Sequence, residues 1–580
     1  MLAENKSRLF ERNRSFGHGP WQLQLRGDEI ADIEYLGHPV LRGIRAVVRD
    51  YDWRTLTPCI ESATGSHDGA TSTQTLRIRF ASFGCEYAAA LTLQASDDDL
   101  LVTFVGTATQ HFSSNRVGLV VLHRSDDAGR DIIVTSPDGT LTKGAFPTDI
   151  SPHQPLTDIA AMSWERDGTA FRLEFTGDVF ETEDQRNWTD ASFKTYSPPL
   201  SRPFPVSVHT GDQTHQAIRL SAKPRTGITT CPAPRYVTGI PTVRREARAR
   251  VPALGTSAST AAIELAPVPG LAALIVEVPG GDFAVAAELL VQARHQAMML
   301  GTALDVRIIA DGPGDIPPLV DLLPLDSAAR ISVFSSHGHV TEPDLWEQLL
   351  VAVKRRGLSS AVLSGTRAHF TELNRSRYSI RPDAEAITYS LTPQMHATEV
   401  PHIIESLPMQ RETALNALRL GSGQPLHIGP VTLKARFNAV STRGAYDPAT
   451  LEAMTADPLQ AEEFTAAWLL GSINALTLPG VESISYFEAS GPRGLVTEGG
   501  AATPAFAILS QLATLRGADV LHVEGDVAGL VLYPVVSGSK VLLFAANLTP
   551  RPLSTAVKLE DGYPHGLHLP AWSALTRPLS

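Results

Sequence analysis

The chain has 580 residues, well past the ~250–300 at which one hydrophobic core stops growing, so roughly two to four domains are expected. With 43% hydrophobic and 19% charged residues it reads as an ordinary globular protein, not a disordered one. Lys+Arg 49 against Asp+Glu 61 leaves a net charge of −12, which argues against nucleic acid and anionic membrane as partners, because both draw their affinity from clustered Lys and Arg. Cys59, Cys85 and Cys231 are too few and too scattered for a disulfide framework or a zinc cage, and no Cys-x-x-Cys is present. The opening MLAENKSRLFERNRSFGHGP has no apolar core of a secretory signal. The longest apolar runs, such as AALIVEV and VLLFAA, fall far short of the ~20 residues of a membrane span. A cytoplasmic protein is expected, with no cofactor and no metal.

From about residue 16 to 225 short alternating segments are separated by turn chemistry: WQLQLRGDEIADIEYLG, TLRIRFASFG, LLVTFVGTATQ, VGLVVLHR, FRLEFTGD. Period-2 alternation with Gly, Asp and Ser punctuation predicts half-buried antiparallel strands, and so many of them predict a β-sandwich over 1–225. From Lys223 to Pro269 clustered Pro, Gly, Ser and Thr read as a connector.

Beyond Leu271 apolar strands alternate with amphipathic helices. The predicted strands are 272–278, 303–310, 331–336, 359–365, 387–392, 425–433 and 483–489, with a weak eighth around Gly494–Thr497. Thr341 is the expected cap of a helix with Pro343 in its first turn, which ends in Lys354, Arg355 and Arg356 before Gly357. Asp457-Pro458 and Thr503-Pro504 open two more helices. Continuous apolar strands covered by helices predict a central (β/α)8 TIM barrel over 226–517. A doubly wound open sheet is the alternative, but it would want a Gly-rich phosphate turn, and EVPGGDF is only loosely like one. After Gly517 the alternation returns, predicting a small C-terminal β domain over 518–580.

In a TIM barrel the reactive groups gather where strands end. Counted this way, Glu372, with Asn374 and Arg375, follows the fourth predicted strand, and Glu488 ends the seventh. A carboxylate after strand four facing one after strand seven resembles a large glycosidase superfamily, in which the first is acid/base and the second nucleophile. Glu488 lies in an apolar, aromatic strand where an unpaired carboxylate is costly. Around Glu372 the order Glu-Leu-Asn departs from the familiar Asn-Glu. Other strand ends offer His337 and His339, His396, and Arg436 with Asn438. The His337–His339 pair lacks the companion ligands of a metal site. His396 is a candidate partner for a polyol or a carboxylate.

The densest polar cluster lies outside the barrel. GDVFETEDQRNWTDASFKTYSPPLSRPFP holds Glu183, Asp184, Arg186, Asn187, Trp188, Asp190 and Lys194 in one short stretch. Carboxylates and amides interleaved with Trp and Tyr suit a sugar-like ligand, so the sandwich is expected to lean over the barrel mouth.

This stretch, EDQRNWTDASFKTY preceded by FTGDVFE, resembles the signature of the D-apionate lactonase family. The resemblance implies a β domain, a TIM barrel and a second β domain. It also implies a cytoplasmic hydrolase that opens D-apionolactone to D-apionate in apiose catabolism, with a small sugar lactone as its partner. Glu372 and Glu488 match the paired barrel carboxylates. The expected chemistry has Glu488 as the base that activates water and Glu372 as the proton donor, with Lys194 or Arg186 supporting the oxyanion. No Gly-x-Ser-x-Gly elbow accompanies a suitable triad, which disfavours a serine hydrolase. The rivals are a retaining glycoside hydrolase using Glu372 as acid/base and Glu488 as nucleophile, and a sugar-binding protein without activity. Oligomeric state is not legible.

Overall fold

Alternation builds the N-terminal region. In Cys85–Ala95 and Asp99–Ala108 nearly every second side chain is buried. In the computed structural model, which describes residues 2–11, 13–224, 239–259, 265–323, 328–441 and 448–579, these strands pair antiparallel within two sheets of nine described strands each. Trp21, Ile44, Leu119 and Phe193 from one sheet meet Leu91, Phe104, Phe171 and Leu220 from the other in a single core. The expected sandwich is present.

One of these sheets is buried on both faces, which positions the site. In the strand His38–Asp50, Ile44, Ala46 and Val48 enter the sandwich core. The intervening Arg45, Val47 and Arg49 point the opposite way, since successive side chains alternate across a strand. The neighbouring strand Phe112–Leu122 does the same, with Leu119 and Val121 inside and Arg116 and Val120 outside. On that second face Val47, Val120 and Tyr196 form a small apolar patch of their own. The barrel covers it: Arg45 reaches Glu399 at 3.1 Å, and His402 Nε2 donates to the Glu29 carboxylate at 2.8 Å.

Eight parallel strands close into a ring, the first pairing with both the second and the last. They are Ala253–Ser257, Ala273–Pro279, Ala303–Ala310, Ala328–Ser335, Ala361–Gly365, Ala386–Leu391, Leu426–Val431 and Val481–Ser490. The predicted strands are all there, but the count starts one strand earlier. ALGTS lies inside the stretch read as a connector, where its short, weakly apolar sequence between turn-forming neighbours gave no strand signal. Residues 225–238 and 260–264 of that stretch, Cys231 among them, lie outside the described residues. Gly494–Val496 is no barrel strand: among the barrel strands it pairs only with Glu488 and Ser490, at the end of the eighth, and does not close the ring. Glu372 therefore follows the fifth strand and Glu488 ends the eighth, not the fourth and the seventh.

The helices begin and end largely as read, except that Asp457 caps only the short turn Pro458–Ala461 and the helix Glu463–Leu476 starts separately after Glu462. Pro343–Arg356 stops at Gly357, whose φ of 69° suits a residue without Cβ. Its N-cap is Glu342, because the Thr341 hydroxyl is spent on Val333 O at 2.9 Å. Thr503 caps Pro504–Ala513 through Phe506 N. The C-terminal region adds a seven-stranded sheet, joined by Thr242–Arg250 from ahead of the barrel. No helix among the described residues is long and apolar enough to cross a membrane.

Candidate active site at the seam of sandwich and barrel

The barrel's interior is charged. Asp305 and Arg307 alternate with the outward Leu304, Val306 and Ile308 and are fully buried. Low in the lumen Arg330 meets Asp305 at 3.0 Å and also donates to Ser483 Oγ at 2.8 Å. Above it Arg307 donates to Gly429 O at 2.6 Å and Thr388 Oγ1 at 3.2 Å, crossing from the third strand to the seventh and sixth.

Glu277, on the second strand, crosses the mouth to Arg367 at 2.6 Å and Arg436 at 2.9 Å, which follow the fifth and seventh strands. Burial alone would raise its carboxyl, but the two guanidiniums outweigh that and hold it far below the carboxylate range. Arg367 Nη1 lies 3.2 Å from His339 Nδ1. Because a guanidinium only donates, Nδ1 accepts and the proton sits on Nε2. Burial, with Arg367 adding to it, lowers this histidine to about 4, so it is neutral near pH 7. Glu488 is bound by Arg493 at 2.6 Å, and Arg493 also donates to Thr455 Oγ1 at 2.6 Å. Its carboxyl still lies above the usual range, because burial outweighs Arg493 and Arg436.

The sandwich supplies the other side of the seam. Glu183 faces Lys194 across paired strands, 2.6 Å apart. Burial pushes Glu183 up, but Lys194 and His396 more than offset it and bring it to about 2. Burial brings Lys194 down to about 8, with Glu183 opposing and Arg49 and Arg116 assisting. Asp190 Oδ2 lies 2.6 Å from Nδ1 of His396, in the loop after the sixth barrel strand. A carboxylate there accepts the Nδ1 proton, which leaves Nε2 as the basic nitrogen. Burial lowers His396 despite Asp190, so the ring is neutral at pH 7. Trp188 stands edge-on to it at 5.3 Å, and Arg375 covers the indole at 5.0 Å. His369, just ahead of the helix that carries Glu372, is lowered to about 3 by burial, with Arg436, His396 and His339 adding to it.

The remaining residues singled out from the sequence fall into three groups. Asp184 and Arg186 spend their hydrogen bonds inside the sandwich. The carboxylate takes Arg186 Nε at 2.9 Å and Ser151 N at 2.9 Å, and the guanidinium also reaches Pro147 O at 2.8 Å. Asn187 and Asn374 dock the two domains, Asn374 Nδ2 donating to Asn187 Oδ1 at 2.9 Å and to Ile150 O at 3.0 Å. Glu372 is the third residue of the short helix Phe370–Arg375, and its carboxylate accepts from His369 N at 2.9 Å. Burial outweighs that bond and raises it to about 7. Among the described residues no ion pair or hydrogen bond joins Glu372 to Glu488.

Sequence reading passed over Arg49, Arg116, Glu277, Arg367 and Arg493. Arg116 and Glu277 had a signal: a lone charge in an otherwise apolar stretch (NRVGLVV, ALIVEV) belongs to a face that is buried but not oily. Among the described residues no cluster of three or more His, Cys, Asp or Glu could hold a metal ion.

Residues 1–225 match the family model for the D-apionate lactonase N-terminal domain, and residues 326–517 that for the D-apionate lactonase TIM barrel domain. The D-apionate lactonase of Brucella anthropi is 26% identical over 551 residues, spanning 86% of this chain and 87% of that protein. Among solved structures, a GH30 endoxylanase from Clostridium papyrosolvens C71 matches at 10% identity, covering 59% of this chain and 100% of its own, with a TM-score of 0.37. A β-arabinopyranosidase matches at 11% identity over 98% of this chain and 96% of its own, with a TM-score of 0.26.

Proposed function

The chain belongs to the D-apionate lactonase family, and from that premise we propose that it is a hydrolase that opens D-apionolactone to D-apionate, a step of apiose catabolism, at the seam between sandwich and barrel. The observation that carries the siting is the Asp190–His396 pair. One partner comes from each domain, both are largely shielded from water, and the imidazole is neutral with a defined basic nitrogen.

Opening a five-membered sugar lactone requires water to add to a planar carbonyl carbon. The ring C–O bond then breaks, and the leaving alkoxide takes a proton. Glu488 serves as the base that accepts the water proton. Glu372, its carboxyl raised to about 7 by burial, is protonated through much of the neutral range and returns a proton to the ring oxygen. Lys194 supports charge on the carbonyl oxygen, and Glu183, Trp188 and Asp190 line the sugar's side of the seam. A second reading makes His396 the base, and the Nδ1–H bond to Asp190 favours it: an imidazole oriented by a carboxylate is the arrangement that frees Nε2 for proton transfer. Arg186, Asn187 and Asn374 then act by holding the walls together.

A pH-indicator assay with D-apionolactone and other five-membered sugar lactones tests the reading. Proton release without a new reducing end supports it. Phenol release from aryl glycosides would support the glycosidase rival, and no turnover of either substrate the binding-protein rival. Loss of the proton acceptor lowers kcat by about 10²–10⁴, so the larger fall between Glu488→Gln and His396→Gln identifies the base. With Glu372 as donor, rate declines as pH rises through about 7, and Glu372→Gln abolishes that limb.

A further inference from the structure

Two arginines of the sandwich face the seam without an ion-pair partner among the described residues. Arg49 and Arg116 are directly opposite each other on neighbouring antiparallel strands, where like charges repel. They are only 8% and 4% exposed. Both Nε atoms are shut away from solvent without a hydrogen-bond partner, and among the described residues neither guanidinium makes an ion pair. Arg116 lies over the rings of Tyr196 at 3.7 Å and Trp53 at 5.4 Å, but a ring face does not satisfy the fork of N–H donors at the guanidinium edge.

Glu183 and Asp190 oppose the burial of Arg49 but do not offset it. Glu183 is taken by Lys194 and Asp190 by His396, so three cations share this face with two carboxylates that are already engaged. Burial, with Arg116 adding to it, lowers Arg49 to about 10, an unusual position for a guanidinium. Arg49 also lowers His396, which ties the pair to the Asp190–His396 side of the seam. A buried cation without a partner is costly, and a planar fork is matched by a carboxylate.

We propose that Arg49 and Arg116 form an anion site in the seam that receives the carboxylate of a sugar acid, the group a lactone carbonyl becomes when its ring opens. The choice of a sugar acid rests on the lactonase reading; the presence of an anion site rests on the two arginines alone. The sandwich thereby contributes charge to the reaction and does not merely cover the barrel. The same site stabilises negative charge as it develops on the carbonyl oxygen.

The test uses the full chain, titrated calorimetrically with erythronate, a four-carbon sugar acid, and with erythritol, the uncharged polyol of the same length. Wild type is expected to bind erythronate more tightly than erythritol. Arg49→Met and Arg116→Met each weaken erythronate binding about 10- to 100-fold, the value of a charge-assisted hydrogen bond, and leave erythritol binding unchanged. Arg49→Lys, which keeps the charge, loses less than Arg49→Met. Because Arg49 has no folded-state ion pair, side-chain hydrogen bond or ring contact to lose among the described residues, the ligand-free unfolding midpoint of Arg49→Met stays level or rises. The proposal is overturned by absence of saturable erythronate binding in wild type, by equal erythronate affinity in wild type and both Met variants, or by a ligand-free midpoint that falls in Arg49→Met. Anion binding lost in the variants of a protein that turns over no lactone sinks the proposed reaction and keeps the site. Lactone turnover with anion binding indifferent to both arginines does the reverse.

Discussion

Glu277 at the barrel mouth and Glu183 on the sandwich are both buried carboxylates, yet their neighbourhoods differ in kind. Glu277 sits between Arg367 and Arg436, and each guanidinium has further acceptors: Arg367 on His339, Arg436 on Arg367 O and Ser390 Oγ. The acid of the mouth is engaged at both oxygens, one on each guanidinium. Around Glu183 only Lys194 is matched, while Arg49 and Arg116 wait on the same face. Burial of charge is common to both regions and therefore marks neither as a ligand site. Incomplete pairing is what separates a framework of ion pairs from a place prepared for a substrate.

Breaking the ion pairs of the mouth should have the largest effect. Glu277→Gln leaves Arg367 and Arg436 buried and opposed, and is expected to destabilise the protein by about 3–5 kcal/mol in urea titrations. Its carboxyl is depressed in the folded state, so its contribution is full above the unfolded value near 4.5 and fades as pH falls below it. Wild type and variant should converge in acid. A loss below about 1 kcal/mol at pH 7 would mean that the mouth, too, is waiting for a ligand.

Glu372 sharpens the comparison from the opposite side, as a buried carboxyl whose one charged neighbour of note is Arg375. Its folded value of about 7 lies above the ordinary 4.5 of the unfolded chain, so stability should fall as pH rises between these values, because the unfolded chain releases a proton the folded one retains. Glu372→Gln keeps the helix cap, removes that slope and should be more stable than wild type above pH 7, by up to about 3 kcal/mol. Identical pH profiles would deny the carboxyl its raised value. The smallest effect is at the docking contact: Asn374→Ala strands Ile150 O and should cost about 1–3 kcal/mol, read as earlier release of the sandwich in proteolysis. Unchanged cleavage would place the strength of the seam elsewhere, in Arg45–Glu399 and His402–Glu29.

The numbering of the barrel shows how a local reading fails. ALGTS is a barrel strand because Ala273–Pro279 and Val481–Ser490 flank it, a long-range fact that five small residues cannot announce. One missed strand moved Glu372 and Glu488 along the ring. The three-strand interval between them survived, so the idea of facing carboxylates remained while its match to the fourth and seventh strands did not.

Periodicity determined much: the alternating sandwich, the strand–helix alternation of the barrel and the caps at Thr503 and Gly357 are each written within a few residues, where hydrophobic spacing and backbone preference act locally. The aromatic and charged stretch from Glu183 to Lys194 likewise declared itself as a motif. Which charges would be neighbours was decided only by tertiary structure. Asp190 meets His396 across 206 residues, Glu277 meets Arg367 across 90, and Arg49 forms no ion pair among the described residues, with Glu183 and Asp190 acting on it only from a distance. Side-chain electrostatics depends on distance and burial in space, and neither is encoded in the order of residues near a given charge.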